Sequence, residues 1–484
     1  MQPIIFELSG GNEMGVLSNL KPERVFEIFE DICKIPHGSE NTEQISEFCV
    51  DFAHKNGLYC IKDGMNNVII KKPGYFGYEN HPTVILQGHL DMVCQKTNES
   101  KIDFLKDGLI LKRDADKVFA DGTTLGADDG IAVAMILALF EDKNAVHPPL
   151  EAVFTVDEEI GMFGADGIDA SNLNGKILLN IDSEEEGVFI VSCAGGVRFD
   201  VTLPFVTEKV EMPVYELTLS GLKGGHSGME INKGRYNSNK LLGEFFKTLS
   251  GEFCIGKISG GEKENVIANH TVCTVATFDD LNKAAEKFVN EKYNENDADF
   301  NIDVKPLGNS AQCMNKTSSL KFVNLLNDFP YGIISMVEGM ENMAQTSLNL
   351  GVLSTENNKI LLRFSLRSSA ENELDRLIER LEKTANTYNA EYELSGRYPA
   401  WEYRKNSLLR DVMVNVYEEM YGKKPIVSAV HAGLECGIFS NKISGLDVVS
   451  FGPDLLNVHT VNESMSISSV KRTYEFLLNV LKCL

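Results

Sequence analysis

His89 and Asp91 stand two residues apart at the end of an apolar run, Thr83-Val-Ile-Leu-Gln-Gly-His89-Leu-Asp91-Met-Val. An imidazole beside a carboxylate is a common beginning for a metal site, because the acid orients the ring. A strand-terminal histidine that merely precedes an aspartate is the equal alternative for this pair alone. Further ligand-type side chains follow: Asp128 and Asp129 in Gly126-Ala-Asp128-Asp129-Gly130, Glu158 and Glu159 after Asp157, Asp182 in Asp-Ser-Glu-Glu-Glu-Gly, and His459 in Leu456-Asn-Val-His459-Thr-Val-Asn-Glu463. Two imidazoles with several carboxylates suit Zn²⁺, and also Mn²⁺ or Co²⁺. Bringing so many acids together without a cation is costly, since like charges repel in a low dielectric. Convergence of these segments therefore calls for metal. Singly, each has a plainer reading. Asp-Glu-Glu is a solvated acidic turn, Asp128 a helix N-cap, Asp182 the start of a solvated loop, and His459 a structural histidine.

The elements that must position these residues follow from periodicity. The run 84–87 predicts a buried strand, and side chains two apart on a strand share a face, so His89 and Asp91 point the same way if the extended geometry continues. Apolar positions Val25, Ile28, Phe29 and Ile32, then Ile45, Phe48 and Phe52, predict helix over 21–56, broken by Pro36-His-Gly-Ser39. Strands are expected at 67–71, 83–87, 150–156 and 176–182, and an almost wholly apolar helix at 131–140. Strands alternating with helices, with polar residues at strand C-termini, indicate an α/β sheet whose site lies along that edge.

The pattern changes after about residue 187. Strands are expected at 197–203, 213–220, 266–278, 345–352 and 359–368, and helices at 234–249, 320–326 and 371–388. Such a block predicts a small α+β domain. Beyond Arg397 the chain returns to a helix at 407–421, short strands at 426–430 and 447–451, and a closing helix from 467. The domain expectation is a main domain formed by 1–187 and 397–484, with 188–396 inserted.

The 484 residues are too many for one core. A hydrophobic content of 43% and a charged content of 24% are ordinary for a folded soluble protein. The net charge of -24 argues against nucleic acid or an anionic membrane as partner, because phosphates are repelled. Ten scattered cysteines without a Cys-x-x-Cys pair, no basic and apolar leader in residues 1–7, and no membrane-length apolar segment predict a reduced, cytoplasmic protein.

Together His89-Leu-Asp91, Gly126-Ala-Asp128-Asp129-Gly, Asp157-Glu158-Glu159-Ile-Gly, Asn180-Ile-Asp182-Ser-Glu and the late His459 resemble the M20 family of di-metal peptidases. In the inserted block, Gly224-Gly-His226-Ser-Gly-Met-Glu-Ile-Asn-Lys-Gly-Arg235 is similar to that family's lid-domain histidine motif. Leu362-Arg-Phe-Ser-Leu-Arg367-Ser-Ser resembles its late lid strand, and His431-Ala-Gly433-Leu-Glu435-Cys-Gly its closing glycine loop. The details look most like the branch of aminoacyl-histidine (Xaa-His, β-alanyl-histidine) dipeptidases. The likeness covers nearly the whole chain.

The resemblance implies a mixed-sheet α/β catalytic domain with an inserted α+β lid that closes over the substrate and excludes water. It also implies two divalent ions, zinc before manganese or cobalt, and a homodimer acting on small peptides. His89 and Asp182 would hold one ion and Glu159 and His459 the other, with Asp128 bridging. Two ions roughly 3.5–4 Å apart lower the pKa of a shared water toward neutrality. Glu158 would be the general base and Asp91 the orienter of His89. His226 would stabilise the oxyanion, Arg367 would bind the substrate's C-terminal carboxylate, Gly433 would admit backbone N–H groups to the substrate, and Glu435 is a further site candidate. Plainer readings make His226 a turn residue and Arg367 a surface strand charge. One departure is Asp129, where several relatives carry Asn; its plain reading is a solvated helix-start acid. The implied activity is hydrolysis of carnosine-like Xaa-His dipeptides. Tripeptide aminopeptidase, deacylase or broad dipeptidase activity shares the same metal residues. The rival of another class is a catalytically inert metal-binding scaffold, which has no need of Glu158.

Overall fold

Val84–His89 is buried along its whole length, as an apolar run requires where both faces of a sheet are covered. In the computed structural model, which describes residues 15–337 and 343–484, this strand lies in an eight-stranded sheet. The order is Tyr59–Lys62, Val68–Lys72, Leu150–Thr155, Val84–His89, Ile177–Asn180, Asp447–Ser450, Val188–Cys193 and Ile426–Val430. Val84–His89 runs parallel to both Leu150–Thr155 and Ile177–Asn180, and Asp447–Ser450 runs parallel to Ile177–Asn180. Val68–Lys72 and Tyr59–Lys62 pair antiparallel, so the sheet is mixed. The parallel register sets His89 opposite Thr155 and Gln87 opposite Asn180. The chain leaving all three strands therefore delivers its next residues to one edge.

Helix Ala127–Glu141 packs against Val84–His89 and is buried from Ala127 to Phe140, which explains why it is apolar all round. It begins four residues earlier than the expected apolar stretch. A four-stranded sheet of Leu455–Leu456, Ser464–Ser466, Lys117–Ala120 and Leu111–Asp114 holds the loop that carries His459. The closing helix is Ile467–Cys483.

The chain divides into two compact units: Met1–Val191 with Arg404–Ser428 and Ile438–Leu484, and Ser192–Tyr403 with Ala429–Gly437. The expected boundaries after 187 and 396 differ from these. Val188–Cys193 is one uninterrupted strand, so no turn signal marks the passage between units. The stretch 429–437 is tied to the second unit by Ala194 N–H, which donates to the Val430 carbonyl at 3.1 Å.

The second unit is built on a nine-stranded antiparallel sheet. Along Gly195–Pro204, Val197, Phe199, Val201 and Leu203 are buried on one face with the helices Ser238–Thr248, Lys316–Asp328 and Glu371–Thr387. The last of these buries Leu374, Leu377, Ile378, Leu381 and Ala385, a single helical stripe. The strand expected at 266–278 is two: Val266–Ile267, paired with Gly225–His226, and Thr271–Thr277. Helix Ser238–Thr248 starts later than expected because the Asn237 side chain caps the N–H groups of Asn239 and Lys240.

Among the described residues no helix is long and apolar enough to cross a membrane, and none of the ten cysteines forms a disulfide. Residues 1–7, expected to lack an export leader, lie outside the described residues.

Candidate metal centre

The strand edge of the first unit gathers His89, Asp128, Asp182, Glu158, Glu159 and His459. His89 is 1% exposed, and its Nδ1 lies 2.9 Å from the Asp91 carbonyl oxygen. An imidazole that donates from Nδ1 keeps a lone pair on Nε2. That Nε2 is 3.2 Å from Asp128 Oδ1 and 3.6 Å from Asp182 Oδ1. On the other side, His459 Nε2 is 3.0 Å from Asp128 Oδ2 and 3.0 Å from Glu159 Oε1. The two oxygens of Asp128 thus face two different histidines. Two donor sets result, His89–Asp128–Asp182 and Asp128–Glu159–His459, each with ligand atoms within 4.8 Å of one another. His89, Glu158 and Glu159 form a third such group.

The charges fit a cation. Among the described residues the only ion-pair partners of Asp128, Asp182 and Glu159 are His89 and His459. No lysine or arginine offsets this buried negative charge. Burial raises the Asp182 pKa to about 6, with Asp128 and Glu159 adding repulsion against the pull of His89. Burial disfavours a charged His89, but Asp128, Asp182 and Asp91 outweigh it and hold its pKa well above the usual imidazole value. Hydrogen bonding to Asp128 and Glu159 raises His459 to about 11.

A pH dependence follows. The neighbouring carboxylates raise the pKa of both imidazoles, so protons compete with a cation for the ring nitrogens. Metal affinity is therefore expected to rise with pH, by about tenfold per unit for each proton displaced. Metal titrations in buffers of different ionisation enthalpy measure the protons released; an affinity independent of pH contradicts this.

Asp91 does more than orient a ring. Its carboxylate accepts the backbone N–H groups of Glu158 at 3.1 Å and Glu159 at 3.3 Å, and the Ser39 hydroxyl at 2.8 Å. Its Oδ1 is 3.5 Å from His89 Nδ1, farther than its own carbonyl. The carboxylate therefore fixes the segment bearing both acids, while its backbone makes the shorter contact to the ring.

Asp129 is not a solvated acid. It is 1% exposed, and its Oδ2 accepts the His89 backbone N–H at 3.2 Å. Only glycine fits before His89, because a Cβ at Gly88 would lie 2.5 Å from that oxygen. Nor is Asp128 an N-cap: Gly126 occupies that position with φ 65°, and Asp128 itself has non-helical dihedrals. The side chain that does hold the helix start is Glu463, which sequence reasoning passed over.

In the second unit, His226 Nδ1 accepts the N–H groups of Gly228 at 3.2 Å and Met229 at 3.1 Å. The ring proton then sits on Nε2, leaving that N–H as the donor. Burial and the nearby Arg367 lower the His226 pKa, favouring the neutral ring. Arg367 is not a surface charge but 7% exposed, with one guanidinium nitrogen donating to the Tyr398 hydroxyl at 3.0 Å and its Nε unpartnered. His431 was also missed. It is buried, bonded through Nε2 to Ser347 Oγ at 2.7 Å, and pushed down to about 3 by burial, Arg367 and His226. Glu435 is fully buried at the start of Glu435–Lys442, and Gly433 lies half-buried in the loop before it.

A sequence profile of peptidase family M20/M25/M40 matches residues 85–482. The cytosol non-specific dipeptidase of Escherichia coli (strain K12) is 36% identical over 480 residues, covering 97% of this chain and 99% of the relative. A crystal structure of the aminoacylhistidine dipeptidase from Vibrio alginolyticus superposes with a TM-score of 0.91 at 35% identity, covering 97% of this chain and 98% of that one. An aminopeptidase of Bacillus cereus shares the fold at a TM-score of 0.57 and 14% identity, over 96% of this chain and 98% of that one.

Proposed function

The chain belongs to peptidase family M20/M25/M40, and from that premise we propose that it is a metal-dependent dipeptidase preferring Xaa-His substrates of the carnosine type. The observation that carries the reading is Asp128, one buried carboxylate shared by two donor sets. The dipeptidase names of the Escherichia coli and Vibrio alginolyticus relatives support it.

In this reading His89 and Asp182 would hold one cation and Glu159 and His459 the other, with Asp128 available to both. Zinc suits these ligands, as do manganese and cobalt. Bound there, the pair would acidify a water and polarise the scissile carbonyl. Glu158 belongs to neither of the two sets sharing Asp128. It takes the proton of the attacking water and passes it to the leaving amine. Asp91, by holding the Glu158 and Glu159 N–H groups, keeps the base and its neighbouring ligand in register. His226 offers Nε2–H to the oxyanion, and Arg367 takes the C-terminal carboxylate. Gly433 and Glu435 complete the substrate contacts of the inserted unit. A homodimer in the cytosol belongs to the same reading, supported for location by ten cysteines without a disulfide and the relative's name.

Broad dipeptidase activity is the second reading, favoured by the word non-specific in the name of the Escherichia coli relative. Comparing kcat/KM on Xaa-His dipeptides, other dipeptides, tripeptides and N-acyl amino acids separates the two. Preference for N-acyl substrates or tripeptides contradicts both.

Arg367→Ala is expected to lower kcat/KM on dipeptides by about 10–100-fold, the usual loss for a hydrogen bond to a charged group. Dipeptide amides, which lack the carboxylate, should change little. An equal loss on acids and amides removes the carboxylate role.

A further inference from the structure

We propose that Glu463 is a positioning residue for the two-cation centre, clamping the segment that bears Asp128 to the loop that bears His459. The role rests on the metal reading above and adds to it a residue outside the ligand set.

Glu463 is 2% exposed. Its Oε2 accepts the backbone N–H of Leu125 at 2.7 Å and of Gly126 at 3.2 Å. Its Oε1 accepts those of Ala127 at 2.9 Å and of Asp128 at 3.5 Å. Both carboxylate oxygens are thus committed to one short stretch of backbone, and that stretch ends on the shared ligand.

The stretch needs such a partner. The first N–H groups of a helix have no acceptor within it. Helix Ala127–Glu141 has no side-chain cap of its own, its N-cap is Gly126 at φ 65°, and Asp128 and Asp129 depart from helical dihedrals. Its start would therefore be loosely held. A carboxylate at this position satisfies those donors and suits the positive end of the helix dipole. It arrives from 336 residues away in the chain.

What makes this a device for the metal centre is where Glu463 sits. It closes the same loop as His459, between Leu455–Leu456 and Ser464–Ser466, and its N–H donates to the Thr460 carbonyl at 3.1 Å. One end of the clamp is thus four residues from His459, and the other is the backbone of Asp128. The 3.0 Å approach of His459 Nε2 to Asp128 Oδ2 spans the same two segments. His89 and Asp182, by contrast, follow strands locked by parallel register, and His89 is further held by Asp91. The clamp therefore governs the His459 side of the centre more than the His89 side.

The test is Glu463→Gln, stripped of metal by chelation and titrated with Co²⁺ while its d–d absorption and bound stoichiometry are followed. The amide keeps the shape but turns an NH₂ toward backbone N–H donors. One equivalent is expected to bind about 10–100-fold more weakly than in the parent protein, the usual cost of losing an outer-shell partner. The other equivalent should shift by less than threefold. Glu463→Asp keeps the charge with a shorter reach; it should show the same asymmetry, smaller, and serves if the glutamine variant does not fold. Far-UV circular dichroism of the metal-free variants confirms that folding is retained. Unchanged affinity for both equivalents in a folded variant overturns the proposal, as does equal weakening of both. If the parent protein itself binds only one equivalent, the two-cation reading fails and this role with it.

Discussion

Glu158→Ala is expected to retain both cations and to lose turnover by about 10²–10⁴-fold, the range supplied by a positioned general base. The separation of the two effects is what the geometry demands. Each of the two donor sets sharing Asp128 is complete without Glu158: His89, Asp128 and Asp182 in one, Asp128, Glu159 and His459 in the other. The backbone at Glu158 is held by Asp91 through its N–H, a bond the alanine side chain leaves in place. Glu159 therefore keeps its position, and metal content measured by plasma emission stays at the parent value while kcat collapses. Near-parent hydrolysis refutes the base assignment. Loss of metal in the variant moves Glu158 into the ligand set, a possibility raised by its proximity to His89 and Glu159. An inert metal-binding scaffold predicts no kinetic consequence at all.

Asp128→Ala is expected to give the opposite pattern, loss of metal and activity together. One side chain serves both donor sets, so its removal leaves each with a single carboxylate and a single imidazole. It also removes the acid nearest His89 and one of the two acids 3.0 Å from His459. Both equivalents of metal should fall away on dialysis, and turnover should fall to background. Folding should survive, because the backbone at 125–128 is still held by Glu463. A variant that keeps one tight equivalent shows that Asp128 is a ligand of one ion only.

The central part of the site was legible because apolar runs end at polar residues. The runs before His89, Asp157 and Asp182 identify strands, and parallel strands place their C-terminal residues on one edge. His459 stood out as a ligand-type side chain, but its place in the set came only through resemblance, since nothing local to a loop histidine says which strands it faces. Glu463 carries no periodic signal, because the partners of its carboxylate are backbone N–H groups remote in sequence. An acid four residues past His459 was the only available hint. The burial of Asp129 was hidden for a related reason: it depends on Gly88 allowing close approach, a tertiary contact.

In the second unit, the helix Glu371–Thr387 was plain from its apolar stripe, whereas the strands Asn301–Gly308 and Glu391–Tyr398 were not. Both are largely exposed and lack the alternation that marks a half-buried strand. His431 was overlooked because a buried histidine bonded to a serine on another strand leaves no trace in local spacing.

Metal content and dipeptide turnover, measured on one preparation, test the two-cation dipeptidase reading most directly. The expected result is about two equivalents of divalent metal per chain, kcat/KM highest on dipeptides, loss of that activity on chelation, and its return on adding zinc, manganese or cobalt. Full dipeptide turnover by the metal-free protein contradicts a metal-dependent mechanism.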